Sequence, residues 1–281
     1  MNGNGTITGN VTASGSINMS GSDVINGSIT AFDDITMTNN GLIAGDIVLR
    51  GANTLTMASN DEVNGTVTIE TDGTIIHANS GTIGGLDVNA DIDLQSDLIV
   101  DGGVNIDGAS LNLDYTNDGN TTDDADLTAN NITITSDASS NLDYAGQTLT
   151  VNGNFERSGE STVIADANST IAFRGDGDDA SFTPGPDFSV GHLDIDKDGA
   201  TLTVNGTVRV SATGPAAAVT VADNTTLALG DNTIRVLADG IVSSNGMVTN
   251  NTNELGGIVF VGNGTIEGLG YSNLYIDANI D

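Results

Sequence analysis

The chain has 281 residues, 38 of them acidic and 6 basic, for a formal net charge of −32. Such a surface repels nucleic acid and anionic membranes, and a chain with 0 Cys can form neither a disulfide nor a thiolate metal site. Charged residues make up 16% and hydrophobic ones 37%, too apolar for a disordered acidic tail, and no apolar run is long enough for a membrane-spanning helix.

From Gly9 the chain can be written in sixes: GNVTAS, GSINMS, GSDVIN, GSITAF, DDITMT, NNGLIA, GDIVLR, GANTLT. Gly, Asp or Asn opens each block. An aliphatic residue usually follows two places on (Val11, Ile17, Ile29, Ile35, Ile47) and a second apolar residue four places on (Ala13, Met19, Ile25, Ala31, Met37, Ile43, Leu49, Leu55). Every third block differs: its apolar pair is adjacent, in Val24-Ile25 and Leu42-Ile43, and polar Asp23 and Gly41 stand at the usual first apolar place. The repeat is therefore three hexads long. Gly9, Gly27, Gly45, Gly65, Gly84 and Gly102 mark equivalent points, at spacings of 18, 18, 20, 19 and 18 residues.

Apolar residues two apart share one face of a strand, and Gly, Asn and Asp at fixed offsets supply corners. Three short strands and three corners make a triangular coil. One coil cannot bury its apolar face alone, but stacked coils can. The expected fold is all-β: a single-stranded parallel β-solenoid, or β-helix, right-handed, with 18–20 residue triangular coils followed by wider ones.

The Gly-x-Ile/Val-x-apolar phrases resemble the parallel β-helices of bacterial surface proteins, such as filamentous-haemagglutinin-like adhesins and autotransporter stalks, and also bactofilin-like polymerising β-helices. The hexads are similar to left-handed hexapeptide acyltransferases too, but the offsets usual there are not kept, and coils of 19 and 20 residues fit a right-handed helix better. The resemblance implies an extracellular or cell-surface protein.

Beyond Tyr115 the regularity breaks. Residues 116–127 read as an exposed acidic loop between a regular solenoid over 1–115 and a wider, less regular one over 128–281. Strands are expected at Ile132/Ile134, Leu149/Val151, Ile171/Phe173, Leu193/Ile195, Leu202/Val204, Val208/Val210, Val219/Val221, Leu227/Leu229 and Ile234/Val236. The matches of Leu202 with Leu227 and Val208 with Ile234 suggest coils of about 25 residues. The phrase TLTVNG occurs at both 148–153 and 201–206, and Pro184, Pro186 and Pro215 sit at expected turns. The repeat starts near Gly3 without a capping helix, and a strand is expected at Leu274-Tyr275-Ile276. Open strand edges of this kind can template pairing with another chain. The expected partner is a second copy in a head-to-tail homopolymer, although a piece of a longer stalk would look the same.

Calcium is the cofactor the acidic loops would take. The candidate ligands are Asp118, Asp123, Asp124 and Asp126, and Asp176, Asp178 and Asp179. Asp194-Ile195-Asp196-Lys197-Asp198-Gly199 begins like an EF-hand loop, but the twelfth position is Asn205 and the flanks read as strands; a turn is the expected reading. Asn-x-Ser/Thr sequons open at Asn4, Asn10, Asn18, Asn26, Asn64, Asn120, Asn131, Asn168, Asn205, Asn224, Asn250 and Asn263. They are glycosylation candidates, against the simpler reading that Asn-Gly-Thr is corner chemistry. Thr36/Thr38 and Thr54/Thr56 lie 18 residues apart and are expected to stack, with Asn18/Ser20 one coil earlier; a flat Thr ladder of this kind is a weak hint of ice binding. Enzymatic chemistry is not expected. Lys197, Arg50, Arg157, Arg174, Arg209 and Arg235 are scattered, and His77 and His192 have no recognisable partner motif. The expected function is a non-enzymatic structural rod, filament or coat. An adhesin with a receptor or glycan ligand is the alternative, and a glycan-processing tailspike the third reading.

Overall fold

The computed structural model describes residues 1, 3–51, 53–58, 60–72, 74–113, 125–135, 137–211, 218–237, 240–250, 257–261 and 264–268. Asp118, Asp123, Asp124, Asn120, Asn263, Pro215, the Leu274–Ile276 stretch and the His77 side chain lie outside the described residues. Every regular element among the described residues is a β-strand, and the strands stack in parallel as a β-solenoid. Contacts divide the chain into two units, Met1–Asp143 with Glu160–Thr162, and Tyr144–Gly159 with Val163–Asp281.

The first unit is built from three ladders, one per face of the coil. On the second face Val11, Ile29, Ile47, Val67, Leu86, Val104 and Ile132 stack in register, with Ala13, Ala31, Leu49, Ile69, Val88, Ile106 and Ile134 beside them. From Ile29 onward these side chains are at most 1% exposed. The hexad pattern thus becomes columns of aliphatic side chains around one narrow core, each buried by its neighbours one coil above and below.

The glycines at 27, 45, 65, 84 and 102 form a column with a specific steric reason. A Cβ on Gly27 would lie 2.3 Å from the Gly9 carbonyl oxygen, and one on Gly102 would lie 2.2 Å from that of Gly84. At 45, 65 and 84 the nearest backbone atoms stand 2.7, 2.5 and 2.2 Å away. Backbone passes over backbone at this corner, so space rather than dihedral freedom demands glycine.

The expected Thr ladder is corrected by the register. Thr36 pairs with Thr56, not Thr54, and Ile35 with Leu55; Asn18 pairs with Thr36 as expected. Ala31 and Leu49 are stacked partners. Residues 32–34 lie between Ala31 and Ile35, whereas residues 50–54 lie between Leu49 and Leu55. The longer corner slides the next strand by two residues, which keeps its apolar side inward.

Leu113 and Ala125 are the described residues on either side of the expected acidic loop. Both are fully buried, and the Ala125 N–H donates to the Leu113 carbonyl at 3.2 Å. Buried Leu127 already opens the next strand, Leu127–Ile134.

The second unit has wider coils. Leu202 pairs with Leu227 and Val208 with Ile234, as the sequence spacing suggested. The two TLTV phrases, by contrast, fall on different ladders. Thr148–Val151 pairs with Thr170–Phe173, and Thr201–Val204 pairs with Ala180–Thr183 and Thr226–Gly230. A separate four-stranded sheet stacks Ser189–Val190, Val208–Val210, Thr233–Leu237 and Gly257–Val261. The wider coil is filled by Phe155, Phe173, Phe182 and Phe188, each at most 1% exposed. Their ring centroids lie 5.1–5.8 Å apart, mostly edge to face, which suits the aromatic quadrupole.

Candidate functional site

Polar side chains in this chain work mainly from one coil to the next. Along one corner of the first unit, the Ser28 N–H donates to Asn10 Oδ1, the Asp46 N–H to Ser28 Oγ, and the Thr66 N–H to Asp46 Oδ1, at 3.0–3.1 Å. At another corner the Asp91 N–H donates to Asp72 Oδ1 and the Ser110 N–H to Asp91 Oδ1. Ser28, Asp46 and Asp91 lie in corners, while Thr66 and Ser110 lie in the strands that follow them, and an acceptor one coil away satisfies each N–H. Short Asp, Asn and Ser side chains reach just that far.

Asp23 and Asp61 are an inward version of the same device, at 0% and 1% exposure. Asp61 Oδ1 accepts the Gly41 N–H and Oδ2 the Ala58 N–H, both at 2.6 Å. Asp23 likewise accepts from Gly5 and Ser20 at 2.8 and 3.1 Å. A Cβ on Gly41 would stand 3.3 Å from Asp61 Oδ1. Glycine in one coil therefore makes room for the buried aspartate of the next, which explains the odd third hexad.

The acidic corner of the second unit contains the residue that sequence reasoning passed over. Leu193, Ile195 and Lys197 are buried, while Asp196 and Asp198 point outward. Lys197 is 0% exposed, and its Nζ donates to the carbonyls of Asn152 at 2.6 Å and Arg174 at 3.0 Å. Its own N–H donates to the buried Thr225 hydroxyl. Burial pushes the ammonium below its ordinary value, while Asp178, Asp179 and Asp176 pull it back upward. Three of the candidate calcium ligands therefore lie within the field of an internal cation supplied by the chain itself. The period-2 alternation Leu193-Ile195-Lys197 was the signal that could have found it.

Asp176, Asp196, Asp198, Asp223, Asn224 and Asn245 help to line an open groove of about 640 Å³ on this unit. Asp179 Oδ1 accepts the Thr201 N–H at 2.8 Å, so it braces the next coil. Asp126, from the other candidate set, donates its N–H to Asp97 Oδ1. Among the described residues no three acidic or histidine side chains converge as a metal would require.

Asn4, Asn10, Asn18, Asn26, Asn64, Asn168, Asn205 and Asn224 are exposed, while Asn131 and Asn250 are half-buried. Several have structural work. Asn10 Oδ1 accepts from Ser28, Asn205 donates to the Thr183 hydroxyl at 3.3 Å, and Asn224 holds a left-handed corner at φ 59°.

The cations follow the same axial rule. Arg50 pairs with Glu70 at 2.8 Å, Arg174 with Asp194 at 2.5 Å and Arg209 with Asp187 at 2.9 Å, each 20 or 22 residues apart. Arg157, 8% exposed, donates to the carbonyls of Pro184 and Pro186. Burial lowers its pKa, and nearby Asp187 opposes the shift. Arg50, Arg157, Arg174, Lys197 and Arg209 thus each tie one coil to another.

Comparison with family models, curated proteins and solved structures yields no match. Among the described residues no helix is long and apolar enough to cross a membrane.

Proposed function

We propose that this chain is a non-enzymatic structural protein of the cell exterior, a β-solenoid that forms a rod, filament or coat by stacking its coils end to end with those of a second copy. The observation that carries the reading is the axial direction of its polar bonds. The corner carboxylates, the ion pairs and the buried Lys197 link successive coils, which stiffens a stack along its length. Ile7 is 36% exposed, whereas Ile25 and Ile43, stacked on it in turn, are 0% exposed; a further coil laid on Thr6–Thr8 would bury it and extend the parallel ladder.

A second reading, a surface adhesin, draws support from the open acidic groove of the second unit. Substitutions in that groove that abolish attachment to cells or glycans, while assembly persists, would favour it. Calcium belongs to either reading only through the acidic loops, and at 176–179 Lys197 already supplies a positive charge.

Electron microscopy of the purified chain, with calcium or with chelator and at low or high salt, tests the proposal. Filaments whose axial repeat matches one chain support it, and their loss on chelation would place calcium at the joint. Isolated short particles under every condition would overturn end-to-end assembly.

A further inference from the structure

One cation stands outside the axial scheme. Arg235 makes no ion pair with any other described residue, and it is exposed. It lies on the small sheet of the second unit, directly in register with Arg209. Both guanidinium groups therefore leave the same outward row, one strand spacing apart, about 4.8 Å. Like charges directly opposite each other weaken a sheet, and the chain has only 6 basic residues to place. The same face also turns aliphatic groups outward. Val259 stacks on Arg235, and Leu237 stacks on Val261; Val259 and Leu237 are half-buried and Val261 is 39% exposed. Arginines around an apolar patch have the composition of a protein contact.

We propose that this sheet face docks sideways on the acidic flank of a second copy of the chain. The complement is the acidic groove of the same unit. The Gly177 N–H donates to the Asp198 carbonyl and the Gly199 N–H to the Asn224 carbonyl, so Asp176, Asp198 and Asp223 recur on successive coils along one groove. Arg235, and Arg209 beyond its Nη1 bond to Asp187 Oδ1, present guanidinium groups one coil apart to carboxylates one coil apart, and both spacings are set by the same backbone ladder. Arginine forks pair bidentately with carboxylates, and the outward valines and leucine exclude water from the joint. The two surfaces are different patches of one molecule, so the contact is heterologous and can propagate. It uses no residue of the Thr6–Thr8 edge, so lateral docking and end-to-end stacking succeed or fail independently.

The test uses the full chain in sedimentation velocity, with electron microscopy to separate widening from lengthening. Wild type associates sideways at about 150 mM salt, where the mutual repulsion of two copies of net charge −32 is screened beyond about 8 Å, and its association constant drops by at least about tenfold at about 1 M, where the short-range pairs are screened too. The variants Arg209→Glu/Arg235→Glu and Asp198→Lys/Asp223→Lys each lose the association, and an equimolar mixture of the two regains it. Val261→Asp, which leaves every charge pair in place, weakens it as well. Circular dichroism and melting curves establish that each variant folds. Association that survives Arg209→Glu/Arg235→Glu overturns the proposal. So does a mixture that stays dissociated, or a wild type that remains single at about 150 mM salt. Binding of alginate to the arginine face without self-association would assign the face to an acidic glycan and overturn it too.

Discussion

Gly84→Ala is the sharpest probe of the stacked backbone. A Cβ at this position meets the Asn64 carbonyl oxygen at 2.2 Å, the Asn64 carbonyl carbon at 2.8 Å and the Gly65 oxygen at 2.9 Å, all of them backbone atoms. Restoring an ordinary 3.4 Å contact needs 3.4 − 2.2 = 1.2 Å of local separation, about a quarter of the 4.8 Å between coils. The nearby ladder bonds Thr82 N–H to Asp61 O and Asn89 N–H to Ile69 O are already 3.2 Å long and cannot stretch that far. Losing two such bonds costs about 1–3 kcal/mol, and the residual overpacking about 1–3 kcal/mol more. Gly84→Ala should therefore destabilise the chain by about 2–6 kcal/mol, read as a lower urea midpoint at unchanged m-value. Gly15→Ala is the control: it has open space within 4 Å and should be neutral or stabilising by up to about 1 kcal/mol. The steric account of the glycine column is wrong if the two variants unfold within about 0.5 kcal/mol of each other.

Three further outcomes are expected. Lys197→Met leaves the Asn152 and Arg174 carbonyls without their donor and should cost about 2–4 kcal/mol in urea unfolding; a variant as stable as wild type would refute an internal cation. Asp61→Ala strips the buried Gly41 N–H and the half-buried Ala58 N–H of their acceptor and should cost about 2–4 kcal/mol, with Asp61→Asn milder because one acceptor oxygen remains; equal losses in the two would contradict the brace. Asp166 is raised by partial burial, but the hydrogen bonds from Asn168, Ser169 and Gly146 outweigh that and hold it below its ordinary 3.8. A depressed carboxylate stabilises the fold above its unfolded pKa, and that stability is lost as pH falls through the folded value. In melting curves the wild-type advantage over Asp166→Asn should thus be constant above about pH 5 and shrink below about pH 4; a pH-independent difference would count against it.

Much of the site was visible in the residues without being read. Asp23 and Gly41 stood out as polar residues at an apolar place, but their pairing with Gly5 and Asp61 spans one coil and needed the stack. The Asp176, Asp178 and Asp179 cluster resembled a cation site. Its negative charge acts on the ammonium of Lys197, which sits at an inward place that strand alternation marks but that a charged residue seldom fills.

By itself the sequence determined the all-β class, the 18–20 residue coil, the glycine column and the inward aliphatic columns. These follow from local periodicity and from the space a corner allows. Only the tertiary structure decided the register past residues 50–54, the separate faces of the two TLTV phrases, the axial bracing by carboxylates and cations, and the pairing of Arg209 with Arg235. Corner length is invisible to a pattern of apolar residues, since a two-residue insertion keeps every side chain on its proper face while moving it to a new partner.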